Sequence, residues 1–297
     1  MEKWHDHLLK GVIWIIIGTL AFALMSTCVK EIGDGASVWM IIFFRFAFAT
    51  LALTPWFLKD IKKTVCCPCP WLLLGRAAAA LSSMAIFFAV IRVIPMINAI
   101  LLVNTAPLFV PLLVRLLLGY KTPQSVYWGI LIGFVGIILV LRPGTDIFHW
   151  GALVGLISGL LAGLAIVILR LVGQKADLRQ IFFFYFFVSM VVGGILSLFN
   201  WQPLTLRNFY YLLAVGFFGL IYQIGLTKAL RVAPARLMGS FLFMGVVFGG
   251  ILDWLVFAHV PPTLTFLGMG LVALGSIIAI VFGRKRIIHH PHHKPKE

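Results

Sequence analysis

The sequence is poor in charge, and poorest in negative charge. Charged residues make up 11% of its 297 positions, and only 9 residues are Asp or Glu. An ordinary soluble domain has about 25% charged and roughly 45–50% apolar residues. Here the apolar share is 62% and the mean hydropathy is +1.07. So much apolar surface cannot be hidden inside one or two soluble domains, so lipid must be the main solvent. That excludes a disordered chain and a soluble nucleic-acid binder. Cysteine is also scarce, at 4 residues, which excludes a secreted disulfide scaffold. A Gly-rich phosphate loop, an HExxH pair and a nucleophile elbow are all missing, so no enzyme is indicated and no cofactor is implied.

What the chain does have is long apolar runs. Ten of them approach or reach the roughly 20 residues that cross a bilayer: 11–29, 37–58, 71–91, 96–118, 124–141, 150–169, 180–199, 208–230, 236–258 and 263–283. They are separated by charged or turn segments such as 30–34, Arg142-Pro143-Gly144 and Pro261-Pro262. The runs are too long for barrel strands, and backbone in lipid must satisfy itself. The expected fold class is therefore an all-α integral membrane protein with ten transmembrane helices. The first run lacks a small-residue cleavage site and leads into nine more, so it reads as a retained helix.

The excess of +15 charges is a topology signal. With the N-terminus inside, cytoplasmic ends and loops carry 19 Lys and Arg, Arg76 and Arg115 among them, and outer ones carry four: Lys30, Arg92, Arg142 and Arg207. Arg45 remains within a span. This asymmetry predicts both termini cytoplasmic. No groove of alternating basic and aromatic residues is present, so no nucleic-acid partner is expected.

The halves resemble each other. An offset of 140 aligns Gly11 with Gly151, Leu20 with Leu160, Lys30 with Arg170 and Gly33 with Gly173. An offset of 139 aligns Pro123 with Pro262, Gly129 with Gly268 and Gly136 with Gly275. Five spans per half is an odd number, so equivalent helices run in opposite directions. The expectation is a 5+5 inverted repeat, suited to alternating access around a midplane site. Residues 1–145 form the first repeat, 146–283 the second, and 284–297 a basic, His-rich cytoplasmic tail.

The stretch 98–142, NAILLVNTAPLFVPLLVRLLLGYKTPQSVYWGILIGFVGIILVLR, resembles the end of an EamA domain of the drug/metabolite transporter superfamily. So does 239–283, GSFLFMGVVFGGILDWLVFAHVPPTLTFLGMGLVALGSIIAIVFG, and Phe43-Phe44-Arg45-Phe46 fits the second span. The resemblance covers nearly the whole chain. It implies two five-helix domains, a cavity between them, and carriage of a small organic metabolite across a bacterial cytoplasmic membrane. The Lys30 end of span 1 and Phe43-Phe44-Arg45 also resemble carriers for S-adenosylmethionine uptake. Tyr120 and His259 stand where the family often has Glu before a Thr-Pro pair, so no role of that Glu is carried over.

Two ionisable residues lie inside spans, Arg45 and Asp253. Such residues are expensive in lipid and face a cavity or a partner. At 1.5 Å per residue they sit ~12 Å and ~8 Å below the outer edge. They can pair with each other, or hold opposite ends of a zwitterionic, amino-acid-like substrate; Asp253 can also carry a coupling proton. Span 4 places Asn104, Pro107, Pro111 and Arg115 on one face, and Gly245, Gly249 and Gly250 interrupt the matching part of span 9. Tyr185, Tyr222, Gln223 and Trp254 add polar or aromatic edges to the candidate substrate site. Gly151, Gly155, Gly159 and Gly163 form a ridge for close helix packing within the bundle, or for a homodimer seam. Cys66-Cys67-Pro68-Cys69 and the tail histidines are potential zinc ligands without zinc-ribbon spacing, so no metal is expected. The competing function classes are export of drugs or surplus amino acids, and a membrane scaffold or receptor without turnover.

Overall fold

The computed structural model describes residues 2–119, 124–141, 150–172, 175–232, 242–259 and 262–283, with the side chains of the first turns left aside. The basic tail 284–297, its histidines, Tyr120, Pro123 and Arg142 lie outside the described residues. The described chain is helical: α1 (Glu2–Ile32), α2 (Val38–Leu58), a short α3 (Ile61–Val65), α4 (Pro70–Val90), α5 (Met96–Val103), α6 (Ala106–Leu118), α7 (Gln124–Leu141), α8 (Trp150–Val172), α9 (Leu178–Phe199), α10 (Leu206–Val232), α11 (Met244–Phe257) and α12 (Thr263–Gly283). Among the described residues, six segments are long and apolar enough to cross a membrane, and Val126–Val140, Leu153–Leu169, Met244–Phe257 and Thr263–Ile278 are shorter apolar helices.

Local chemistry explains where these helices start and stop. Ser37 caps α2 by accepting from the Met40 N–H at 3.2 Å. Asp177 and Gln180 form a reciprocal capping box at the start of α9. The Gln180 amide also donates to the Lys63 and Cys66 carbonyls, each at 2.8 Å, and so ties the α3 loop to α9. The expected fourth span is not one helix. It breaks at Asn104 and Thr105, just before Pro107, which cannot donate to the preceding turn. The Thr105 hydroxyl caps the break by donating to the Leu102 carbonyl at 2.6 Å.

The helices pack as defined pairs. α1 lies along α10 and α8 along α4; α2 meets α9, α7 meets α12 and α5 meets α11. α10 also touches α2, α9 touches α4, α11 touches α1, and α8 covers the broken α5–α6 pair. Glycines set the closest approaches. A Cβ at Gly225 would stand 2.7 Å from the Trp14 carbonyl oxygen, and one at Gly136 would stand 2.6 Å from the Gly268 carbonyl oxygen. The ridge on α8 is used within the bundle: Gly155 and Gly159 receive Leu102 and Thr105, and Gly163 receives Ala106 and Phe109. Around this core the outward faces carry large apolar side chains, among them Leu51, Trp71, Leu116 and Leu198. Such a continuous apolar surface suits lipid, not water.

Candidate functional site

α2 carries Arg45 into the centre of the bundle, where it is only 3% exposed. Its guanidinium carbon lies 4.8 Å from the Phe46 ring centre and 5.8 Å from that of Phe88. Space for it comes from α10: a Cβ at Gly219 would stand 2.8 Å from Arg45 Nε. One turn further along α10, Tyr222 is an electrostatic neighbour of Arg45, and Tyr185 on α9 lies within side-chain hydrogen-bonding reach. Tyr222 meets Phe22 at 4.8 Å with the rings tilted by 41°, and Tyr185 meets Phe46 edge-on at 5.0 Å. Gln223 is buried beside Tyr222 on α10. The offset of 140 that aligns Gly11 with Gly151 also aligns Arg45 with Tyr185.

A second cation shares this centre. Arg76 is 7% exposed, and its guanidinium carbon lies 5.0 Å from the Tyr185 ring centre. Arg45 Nη1 and Arg76 Nε are buried with no hydrogen-bond partner. Arg76, which the charge count puts on the cytoplasmic side, lies within α4 and is buried in the bundle. The available signal was its place inside the run 71–91 instead of at its edge.

Asp253 does not meet Arg45. It is fully buried and pairs with Lys30 Nζ at 2.9 Å, while its other oxygen accepts from the Ile97 N–H at 3.2 Å. Lys30, expected at the outer end of span 1, is in the last turn of α1 and lies 4.5 Å from the Phe257 ring centre. Asp253 thereby joins α1 to α11 and supplies an acceptor to the first turn of α5, whose N–H groups have no helical partner. Gly249 and Gly250, the turn before it, receive Ile100 and Ile97. Trp254 is 57% exposed and faces out of the bundle, away from the central cluster. Asn104 donates to the Ile100 carbonyl at 3.0 Å and serves the α5–α6 break.

The same end of the bundle is pinned further. Arg207 pairs with Glu31 at 2.7 Å, Asn208 donates to the Gly35 carbonyl at 3.0 Å, and Arg92 donates to the Ala36 carbonyl at 2.7 Å. At the opposite end, a cleft of about 230 Å³ is lined by Trp56, Asp60, Lys63, Asp177 and Arg179. A second, of about 190 Å³, lies between Leu53, Trp56, Phe182, Ile224 and Lys228. Cys67 and Cys69 have sulfurs 3.9 Å apart, both free. Burial pushes the Cys67 thiol up.

Apolar helices of membrane-spanning length, apolar outer faces and buried guanidiniums at the centre define an integral membrane protein. Within that class, the chain belongs to the EamA-like transporter family, whose profile matches residues 9–142 and again 149–281. It is similar to the pseudopaline exporter CntI of Pseudomonas aeruginosa, 30% identical over 277 residues, covering 92% of this chain and 96% of that protein. A riboflavin transporter of Rhizobium johnstonii is 25% identical over 90% of this chain and 89% of that protein. An S-adenosylmethionine uptake transporter of Rickettsia felis is 20% identical, with 96% of each chain covered. One solved crystal structure shares the fold, with a TM-score of 0.64 at 16% identity, covering 94% of this chain and 99% of that one.

Proposed function

We propose that this protein is a secondary-active carrier of a small organic metabolite, working by alternating access in a bacterial cytoplasmic membrane. In this reading ten transmembrane helices form a 5+5 inverted repeat with both termini cytoplasmic. The observation that carries it is the central cluster at the contact of α2 and α9, with Arg45 from one half and Tyr185 from the other at aligned positions. An intramembrane charge without a carboxylate partner is a mark of a substrate path.

The helix pairs support the repeat. Exchanging the halves turns α1–α10 into α8–α4, α2–α10 into α9–α4, and α1–α11 into α8 with α5–α6. The pairs α2–α9, α5–α11 and α7–α12 exchange into themselves. Both faces of the α7–α12 contact are built from glycines at the 139-residue offset, Gly129 and Gly136 against Gly275 and Gly268. Rocking one half on the other is the motion this arrangement permits. Export is the second reading, favoured by the 30% identity to a named exporter.

The test is counterflow. Proteoliposomes preloaded with a mixed pool of amino acids, organic acids and amines are offered single labelled compounds. Accumulation driven by the internal pool, and lost in Arg45→Ala protein that still inserts and folds, is the expected result. No exchange of any compound would make the protein a scaffold or receptor.

A further inference from the structure

Resting on the carrier reading above, the unpaired cations define what the central site accepts. The ten apolar runs contain a single carboxylate, Asp253. Both its oxygens are engaged, one by Lys30 and one by the Ile97 N–H. The other acidic residues, from Glu2 and Asp6 through Glu31, Asp34, Asp60, Asp146 and Asp177 to Glu297, lie outside those runs. Among the described residues, the ion pairs formed are Lys30–Asp253, Lys63–Asp177 and Arg207–Glu31, and none involves Arg45 or Arg76.

A guanidinium keeps its charge at any accessible pH. Burying one without a counter-charge is costly, and the faces of Phe46, Phe88 and Tyr185 offset only part of that cost. Two such groups beside one tyrosine, each with a buried N–H that reaches no acceptor, form a site built for negative charge. We propose that the transported substrate is a small organic dianion, with one carboxylate on Arg45 and the other on Arg76. Tyr185 stands between the two groups, and the carbon skeleton rests on Phe46 and Phe88. Both cations belong to the first half of the chain and Tyr185 to the second, so the bound dianion neutralises one half and touches the other. A cationic substrate, a sulfonium included, finds no free carboxylate in the spans. A zwitterion leaves a guanidinium unmatched.

The probes are glutarate and isophthalate, their neutral methyl esters, and putrescine, each tested at ionic strength matched with chloride. Binding to the purified full-length protein is read as the rise in its unfolding midpoint. At least one acid raises the midpoint saturably, while the esters and the diamine leave it unchanged. Arg45→Gln and Arg76→Gln each weaken half-saturation by about 10- to 100-fold, the effect of one charge-assisted contact. If those variants do not fold, Tyr185→Phe retains the ring, and weaker binding by at least about 5-fold is expected from loss of one hydroxyl contact. No response to any acid, equal response to the esters, or wild-type half-saturation in the variants that fold overturns the proposal. Counterflow of neutral or cationic compounds alone would overturn the dianion and leave carriage standing. Specific acid binding without any exchange would overturn carriage and leave the anion site standing.

Discussion

Breaking the Lys30–Asp253 pair should destabilise the bundle strongly and unequally from its two sides. At a separation of 2.9 Å the attraction is about 6 kcal/mol at an effective dielectric of about 20. Desolvation takes back several kcal/mol of that, so the pair itself contributes little, whereas removing one partner costs about 3–5 kcal/mol. At roughly 2–4 °C per kcal/mol, the midpoint should fall by about 6–20 °C. Lys30→Met is the worse change, because it strands a carboxylate with 0% exposure on one backbone N–H. Asp253→Asn keeps an acceptor for Ile97 and leaves an ammonium that is 14% exposed and can bend towards the interface. The double variant Lys30→Met/Asp253→Leu should recover most of the loss, with about 1–3 kcal/mol remaining for the unpaired Ile97 N–H. Thermal unfolding of the four proteins in one detergent closes the cycle. Additive single losses, or unchanged midpoints in both single variants, would refute the pairing.

Arg45→Lys should retain less than about a tenth of wild-type exchange, because an ammonium does not reproduce the two parallel donors of a guanidinium; initial counterflow rates measure this. Gly219→Ala sets a methyl group 2.8 Å from Arg45 Nε; exchange should fall sharply while the unfolding midpoint moves by only a few degrees. Gly275→Ala drives a methyl group into the Gly133 backbone, 2.7 Å from its Cα; this should cost about 1–3 kcal/mol of stability, seen in thermal unfolding. In a cysteine-free background, an impermeant maleimide applied outside intact cells should label Asn200→Cys and miss Lys62→Cys; the reverse pattern would invert the proposed topology.

The sequence alone established that lipid is the solvent. Composition acts as a sum over the whole chain, and 62% apolar residues admit few other solutions. The apolar runs also placed the helices well, because backbone in hydrocarbon must close its hydrogen bonds locally: 37–58 became Val38–Leu58 and 263–283 became Thr263–Gly283. The family was legible from 98–142 and 239–283, where proline, glycine and small residues have helix-breaking and helix-packing roles that depend on neighbours in the chain. Arg45, Tyr185, Tyr222 and Gln223 were visible as polar or aromatic exceptions within those runs. The approach of Tyr185 and Tyr222 to Arg45 was not. Which side chains meet depends on how far each helix is rotated and slid against the next, and hydropathy carries no such information. That is why Asp253 was open to Arg45 on depth alone, yet is held by Lys30, whose helix continues one turn past its apolar run. Trp254 shows the same limit: it is one residue from Asp253, but 100° of helical turn points it outward. The tertiary structure decided that Arg76 lies inside the bundle, that the α8 glycines seat the α5–α6 break, and that, among the described residues, two guanidiniums are left without a carboxylate. A charge's partner is fixed by distance in space, and only packing sets that distance.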